Sequence, residues 1–328
     1  MLLSMFNAFE LGIIYAIMAL GVYLSFRVLD FPDLTVDGSF VTGAAVAGVA
    51  IVGGMSPIMA SILAAFAGFM AGCVTGLLHA KGRINALLAG ILMMIALYSI
   101  NLRILGKPTI SLLQESTIYK QLGTLWEKTG IDNMLNNFLN TFGLERVPDT
   151  FAIVIVMIIV TLGIKYLTDY FLKTEVGLAL RATGDNQKMI RSLSANTDTL
   201  IIVGIGMSNG LVALSGALVA QHGEFADANM GIGMIIIGLA SVIIGEALFG
   251  TKTIPRTTLA VIAGAIIYRM VVAAALRVDF LNTGDMKVIT AVLVIAALVS
   301  PKILKARRDK KRRMQKRMQL NRQKAEEV

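Results

Sequence analysis

Apolar residues are gathered into long runs along this chain, and short polar segments separate the runs. About nine of the runs approach the roughly 20 mostly apolar residues that a helix needs to cross a bilayer. The second run opens with Asp37-Gly38, so it can begin inside the protein rather than at the lipid surface. The pattern predicts an all-α, polytopic transmembrane helix bundle of about nine spans, or of about eight to ten if a short run is re-entrant or a long one is broken. The expected spans are 8–26, 36–53, 57–79, 84–105, 150–172, 199–220, 231–249, 257–276 and 286–299.

Charged residues are scarce in this chain, and the excess of basic over acidic residues lies in its C-terminal segment. Only 16% of the residues are charged, against roughly 25% in soluble domains, and the mean hydropathy is +0.74. The net charge is +9, and residues 302–328 hold twelve basic and three acidic side chains. Directly after an apolar run, such a segment is typical of a cytoplasmic tail that faces anionic lipid, rather than of a nucleic-acid-binding arm. We therefore expect a transmembrane domain at 1–301, a basic cytoplasmic tail at 302–328, and no nucleic acid partner.

Lysine and arginine residues in the short loops orient the predicted helices. With the tail inside, the loops 80–83, 173–198 and 251–256 also lie inside and carry basic residues, whereas the outer loop 221–230 carries none. This scheme places the N-terminus outside. It also places outside the one large polar insert, 106–148, which is either a set of short interfacial helices over the outer mouth or an ordered loop without a specific role.

The sequence offers little for catalysis. Cys73 is the single cysteine, and the two histidines, His79 and His222, lie near the ends of different apolar runs. A thiolate metal cluster, a His-based metal site or a Ser-His-Asp triad is therefore poorly supported. The sequence also contains no run of the form Gly-x-x-x-x-Gly-Lys-Ser/Thr, which would bind nucleotide phosphates. We expect no enzyme activity, and no metal, cofactor or nucleotide bound by this chain.

Three acidic residues, Asp30, Asp33 and Asp37, follow the first predicted span. Carboxylates beside spanning segments are costly unless they are paired or hydrated. Asp33 and Asp37 are four residues apart, so they can share a helical face and line a transport pathway. The alternative is a cap at the start of the second helix, above all for Asp37. As a pathway cluster, the three residues would suit a secondary transporter driven by an ion gradient.

Further polar side chains lie within the predicted spans. Arg269 is a pathway candidate because it falls inside the eighth span, and snorkelling to the outer surface is the alternative. Asn85 and Asn209 are also pathway candidates, although hydrogen bonds between helices are the commoner use of such residues. Glu246, near the inner end of the seventh span, is expected to pair with a basic residue of the loop 251–256 or to contact a partner protein.

The inner loop 173–198 carries the clearest local signals. Gly184 is expected to break a first helix there, and Asp185 or Asn186 to cap a second one. The second helix would be short and amphipathic and would lie across the cytoplasmic face. It can dock into a groove of a partner protein or rest on lipid, and both interpretations stay open. Its apolar residues are Met189, Ile190 and Leu193.

This loop resembles that of a known family. The run Gly177-x-x-x-Arg181-Ala182-x-Gly184-Asp185-Asn186 is similar to the cytoplasmic coupling loop of ABC-importer permeases of the branched-chain amino-acid and ribose type. The first apolar run, the segment 37–44 and the glycine-rich 238–250 also look like their counterparts in that family. The turn 30–37 departs from the branched-chain pattern, which usually has Asn there with Ala-His-Gly. Its acidic version looks closer to the uncharacterised and tryptophan/tyrosine-type subgroup.

The resemblance implies a type II importer fold and a division of labour between subunits. Two permease subunits, often identical, would form the pathway for a small solute, an amino acid and by the subgroup an aromatic one. Two cytoplasmic ATPase subunits would hold ATP and Mg, and an external binding protein would deliver the solute. The chain would lie in the bacterial plasma membrane. By the resemblance, the residues that couple to the ATPase are Gly184, Asp185, Asn186, Met189, Ile190 and Leu193.

Overall fold

The computed structural model describes residues 2–127, 150–192 and 195–275, with isolated helical positions at 288, 291, 292 and 295. A π-helical turn, Leu24–Val28, continues the first helix. In chain order the elements are α1 (Leu2–Tyr23), α2 (Thr35–Val52), α3 (Pro57–Ala80), α4 (Ala86–Leu105), β1 (Thr109–Ser111), α5 (Ile118–Glu127), α6 (Ala152–Lys173), α7 (Glu175–Ser192), α8 (Thr197–Gly223), β2 (Phe225–Asp227), α9 (Met234–Phe249) and α10 (Ile254–Ala275).

Seven of the described helices are long and apolar enough to cross a membrane, namely α1 with its π-helical turn, α2, α3, α4, α6, α8 and α10. The helix α9 is apolar as well but has only 16 residues. These eight helices correspond to the first eight predicted spans, so the all-α transmembrane bundle is confirmed. The ninth predicted span, 286–299, and the tail 302–328 fall beyond the continuously described segments, and the count of nine stays a prediction.

The central helix of the bundle is α8, which packs against α1, α2 and α3. Small residues allow the helix backbones to approach closely. A Cβ atom on Gly43 in α2 would overlap the backbone of Ala213, and one on Gly68 in α3 would overlap the Ala213 side chain. The helix α10 packs in the same way, because Gly264 lies directly on the backbone of Ser241 in α9. The glycines of these runs therefore set the spacing of the helices.

Buried polar groups tie the helices together. The Asn101 amide of α4 donates to the carbonyl of Gly38 at 3.0 Å and accepts a hydrogen bond from the Thr42 hydroxyl at 2.9 Å. The Ser208 hydroxyl of α8 donates to the carbonyl of Gly21 at 2.7 Å. Because hydrocarbon offers no hydrogen-bonding partners, polar groups in a membrane bundle have to find them within the protein.

A small ribbon and one helix follow α4. The strands β1 and β2 pair antiparallel, with Ile110 opposite Ala226, so the segment after α4 is joined to the end of α8. On α5, Lys120 forms an ion pair with Glu224 at 3.2 Å. These elements make up the described part of the insert 106–148, and they lie at the end of the bundle where α8 ends.

Candidate functional site: a coupling helix and buried polar contacts

The loop 173–198 is largely helical, with one kink. The helix α7 runs from Glu175 to Ser192, and Asn186 inside it has non-helical dihedral angles, φ −155° and ψ 89°. The side-chain oxygen of Asn186 accepts a hydrogen bond from the backbone amide of Met189 at 3.1 Å. This is the geometry of an N-cap, so Asn186 begins the second helical segment that the sequence predicts.

The expectation that Gly184 breaks the helix is wrong. The backbone stays helical through Gly184, and the kink comes at Asn186 instead. A Cβ atom at Gly184 would overlap the carbonyl oxygen of Val28 and would lie 2.9 Å from the Cα atom of Leu29. The glycine therefore lets α7 contact the backbone that ends the first span.

The residues around the kink differ in exposure. Asp185 and Asn186 are exposed, and Met189 is 51% exposed. Ile190 is only 6% exposed, so it packs against the rest of the protein, and its predicted contact with the ATPase stays a prediction. Leu193, the third apolar residue of the predicted contact, lies outside the described residues. Met189 is therefore the exposed apolar residue in the described part of α7 after its kink.

Arg191, near the C-terminal end of α7, connects this helix to the start of α8. Its guanidinium donates to the Thr197 hydroxyl at 2.8 Å and pairs with the Asp198 carboxylate at 2.7 Å. The helix is thus held in two places, by Gly184 against the first span and by Arg191 at the start of α8. The exposed turn around Met189 lies between these two contacts.

Two cavities open beside α7 at the end of the first span. Their volumes are about 760 and 410 Å³, and both are lined by Tyr23, Arg27 and Arg181. Arg27 forms a bidentate pair with Glu246 of α9, with N–O distances of 2.7, 2.9 and 3.0 Å. The predicted partner of Glu246 in the loop 251–256 is therefore wrong, because this ion pair reaches across to the first span.

Asp33 and Asn209, two predicted pathway residues, are bonded to each other. The Asn209 amide donates to Asp33 Oδ2 at 2.6 Å, and the backbone amide of Thr35 donates to Oδ1 at 2.9 Å. Asp33 is fully buried. Burial raises the pKa of the Asp33 carboxyl, and the hydrogen bonds from Thr35 and Asn209 lower it. The pair joins the turn before α2 to the central helix, inside the protein.

Asp37 caps a helix, although not its own. Its carboxylate accepts hydrogen bonds from the backbone amides of Gly233 and Ile235, at 2.9 and 2.8 Å, where α9 begins. Amides at a helix N-terminus lack intrahelical partners and carry partial positive charge. The expected cap at α2 is therefore a cap at α9. Asn85 does cap its own helix, α4, because its side chain accepts from the Leu87 amide at 2.9 Å.

The three carboxylates near the first span do not form one site. Asp30 is exposed, with φ +51°, and lines the larger of the two cavities beside α7. Asp33 is bonded to α8, and Asp37 is bonded to α9. In the part of the chain that the structure describes, no group of three or more His, Cys, Asp or Glu residues is placed to hold a metal ion. The described contacts therefore do not bring the three carboxylates into the shared site that an ion-driven secondary transporter would use.

Arg269 lies on an aromatic ring within the bundle. Its guanidinium carbon is 4.8 Å from the centroid of the Tyr15 ring, which is a cation–π geometry. Its Nε atom is buried without a hydrogen-bond partner, while the residue as a whole is partly exposed. The ring is the contact that the sequence could not identify for this arginine.

Two further polar contacts were not predicted from the sequence. Asp169 of α6 is buried between Lys165, at 2.5 Å, and the hydroxyl of Thr258, at 2.6 Å. The four-residue spacing of Lys165 and Asp169 inside an apolar run is a signal that could have revealed that pair. Glu10 of α1 lies 3.6 Å from His222 at the end of α8. No local pattern connects these two, because they are far apart in the chain.

The chain matches a known family over most of its length. Residues 4–298 match the family described as "Branched-chain amino acid transport system / permease component". No solved structure matches the chain.

Three curated relatives give the range of similarity. The chain is 42% identical over 289 residues to the tyrosine transport system permease protein of Clostridioides difficile (strain R20291), and the match covers 88% of each protein. It is 37% identical over 243 residues to an uncharacterized protein of Rickettsia prowazekii (strain Madrid E), covering 74% of this chain and 77% of that one. It is 26% identical over 310 residues to the ribose import permease protein of Escherichia coli (strain K12), covering 91% of this chain and 86% of that protein.

Proposed function

This chain belongs to the family of branched-chain amino acid transport system permease components, and we propose that it is the membrane subunit of an ATP-driven importer. It forms the pathway for a small solute, and ATP is hydrolysed on separate cytoplasmic subunits that hold ATP and Mg. The absence of a phosphate-binding Gly-x-x-x-x-Gly-Lys-Ser/Thr run from the sequence supports this separation.

The observation that carries the proposal is the exposed turn of α7 after its kink. Asn186 caps this turn through the Met189 amide, and the Met189 side chain is 51% exposed. An exposed methionine on a short capped helix is suited to a groove on a partner protein, because its flexible side chain adapts to apolar surfaces. The contacts of Gly184 and Arg191 give that partner a mechanical connection to α1 and α8.

The solute we propose is an aromatic amino acid. The support is the 42% identity to a tyrosine transport system permease protein, over 88% of both chains. The similarity to the ribose import permease protein is weaker, at 26% identity. The acidic turn 30–37 of this chain agrees with the same subgroup.

The proposal extends to the assembly and its orientation. A second permease subunit, identical to this one, completes the pathway, and an extracellular or periplasmic binding protein delivers the solute. The chain lies in the bacterial plasma membrane as a multi-pass protein with its C-terminus in the cytoplasm. The basic residues of the inner loops and of the tail 302–328 support that orientation.

The proposal is tested by reconstitution. The permease is combined in proteoliposomes with the ATPase and the binding protein from its own gene neighbourhood, and uptake of labelled L-tyrosine, L-tryptophan and L-leucine is measured. We expect ATP-dependent uptake of an aromatic amino acid that exceeds the uptake of leucine. Uptake that proceeds without ATP and stops when an ionophore collapses the ion gradients would instead establish the secondary transporter.

A further inference from the structure

The smaller of the two cavities beside α7 is rich in basic residues. It has a volume of about 410 Å³ and lies between three segments, namely the π-helical turn that ends the first span, the helix α7 and the turn that joins α9 to α10. Each of these segments contributes one basic residue. The charged residues of its described lining are Arg27, Arg181, Lys252 and one acidic residue, Glu246. Most of the other lining residues carry hydroxyl groups, namely Tyr23, Thr251, Thr253 and Thr257.

The excess of positive charge in this lining belongs to Arg181 and Lys252, which are both exposed. Glu246 is engaged by Arg27, whose guanidinium donates to both carboxylate oxygens at 2.7, 2.9 and 3.0 Å. The larger cavity shares the two arginines, but two aspartates line it as well. Among the described residues the two cavities therefore differ in charge, and the smaller one is the candidate site for an anion.

The smaller cavity lies at the level where apolar spans end. The first span ends one residue after Arg27, and the span of α10 begins two residues after Lys252. Long basic side chains at such boundaries extend into the lipid headgroup layer. Exposed apolar residues lie close to the lining residues in the chain, at the end of α9 and in α10, namely Leu248, Phe249 and Leu259. A lipid whose headgroup enters the cavity would therefore have apolar side chains beside its acyl chains.

The chemistry of the lining suits the phosphate of a lipid headgroup. A phosphate diester carries one negative charge and only accepts hydrogen bonds, so guanidinium, ammonium and hydroxyl groups are the donors that match it. Arg181 and Lys252 supply the charge, and the threonines supply hydroxyl groups. Basic pockets between transmembrane helices bind the headgroups of anionic lipids in other proteins. The volume of the cavity also falls in the range of about 300–1,000 Å³ that is usual for small-molecule sites.

We propose that the smaller cavity binds the phosphate of an anionic lipid headgroup through Arg181 and Lys252. A bound headgroup connects α7 to the turn before α10. The site depends neither on the solute nor on ATP hydrolysis, so it goes beyond the proposed function. Free phosphate offers the same chemistry, and an acidic surface of a partner protein is a competing occupant. The position of the cavity at the boundary of two spans favours the lipid.

The experiment measures lipid binding to the purified full-length permease in a neutral detergent. Short-chain phosphatidylglycerol and phosphatidylcholine are titrated, and native mass spectrometry counts the lipid that stays bound. The cavity variant, Arg181→Gln with Lys252→Gln, removes the two excess charges. The control, Lys81→Gln with Lys173→Gln, removes the same charge from exposed lysines outside the lining of both cavities.

We expect the wild-type protein to bind phosphatidylglycerol more tightly than phosphatidylcholine. The cavity variant should lose about tenfold or more in apparent affinity for phosphatidylglycerol, as the loss of two basic contacts would. The control should stay near wild type, because its lysines lie outside the cavity. Equal binding of the two lipids by the wild-type protein, or equal losses in the cavity variant and the control, would overturn the proposal.

A second variant keeps every charge and fills the space, so it remains informative if the cavity variant folds poorly. Thr251→Trp places a large ring at an exposed lining residue and should also weaken the binding of phosphatidylglycerol. Inorganic phosphate that displaces phosphatidylglycerol at equal concentration would assign the site to free phosphate instead. Unchanged lipid binding by the cavity variant, together with weaker binding of the ATPase subunits, would assign the cavity to a partner protein.

Discussion

The carboxylate of Asp37 lies 2.9 Å from the backbone nitrogen of Gly233, although 196 residues separate the two in the chain. The same carboxylate also accepts from the Ile235 amide at 2.8 Å. A side chain in the first turn of α2 thus supplies the negative charge that the N-terminus of α9 lacks in its own sequence, where Gly233 is the cap residue. The short helix α9 is therefore anchored to α2 at one end and, through Glu246, to the first span at the other.

Removing the Asp37 carboxylate should loosen α9. We expect Asp37→Ala to lower the free energy of unfolding by about 1–3 kcal/mol, because two helix amides lose their acceptor. Asp37→Asn keeps one acceptor oxygen and loses the charge, so its cost should be smaller. The measurement is the midpoint of thermal unfolding in detergent, with the exposed Asp30→Asn as the control. Equal midpoints for Asp37→Ala and wild type would show that the cap does not stabilise the fold.

The contact between Asn209 and Asp33 should make stability depend on pH. Burial raises the folded pKa of Asp33 above its unfolded value, so the stability that its protonated form contributes is present below about pH 3.9 and is lost as the pH rises through the folded pKa. Asn209→Ala removes a donor that lowers this pKa. We expect it to cost about 1.5–3 kcal/mol at pH 7 and less at pH 4–5.

Ser208→Ala is the matched control for Asn209→Ala. Ser208 is the neighbouring residue on α8, and its buried hydroxyl bonds a backbone carbonyl rather than a carboxylate. We expect its cost, about 1 kcal/mol, to be the same at both pH values. A pH-independent cost for Asn209→Ala would contradict the role assigned to the pair.

Substitution by alanine should have opposite effects on stability at two glycines in helix interiors. A Cβ atom at Gly43 would overlap the backbone of Ala213, which cannot move without shifting α8. We expect Gly43→Ala to destabilise the protein by about 1–3 kcal/mol or more. Gly163 of α6 has open space around it, so Gly163→Ala should leave stability unchanged or raise it by up to about 1 kcal/mol. Thermal unfolding of the two variants compares them directly, and a harmless Gly43→Ala would contradict the packing described for α2 and α8.

The ion pair of Arg27 and Glu246 should matter little for stability. The Arg27 side chain is 59% exposed, whereas that of Glu246 is 11% exposed. Because exposed ion pairs are screened by water and salt, we expect Glu246→Gln to cost less than about 1 kcal/mol. The exchanged pair Arg27→Glu with Glu246→Arg should recover most of that loss at low salt. A cost of several kcal/mol, unchanged at high salt, would mean that the pair is more deeply enclosed than the structure shows.

Local patterns were enough to predict the helices and a cap at Asp185 or Asn186, of which the structure uses Asn186. The apolar runs predict the described spans because a membrane requires long apolar helices whatever their neighbours are. The cap at Asn186 could be predicted because its acceptor and the Met189 amide lie three residues apart. The resemblance in the loop 173–198 pointed to the family that the match over 4–298 establishes.

Contacts between distant segments could not be predicted in this way. Glu246 was expected to pair nearby, and it binds Arg27, 219 residues earlier. Gly184 was expected to break a helix, but its role is to admit the backbone of Val28. In both cases the sequence shows a residue's chemistry, whereas the partner depends on how the helices pack.

The most direct test of the account is ATP-driven uptake by the Met189→Asp variant. In the function proposed above, Met189 is the exposed apolar residue after the kink of α7 that docks on the ATPase, so a charge there should prevent docking without disturbing the buried contacts of the helix. Val176→Asp, at a residue 49% exposed in the first turns of α7, is the matched control. We expect uptake by Met189→Asp to fall about tenfold or more, as the loss of a central interface contact would, while Val176→Asp stays near wild type. Uptake at the wild-type rate by Met189→Asp would contradict the proposed docking.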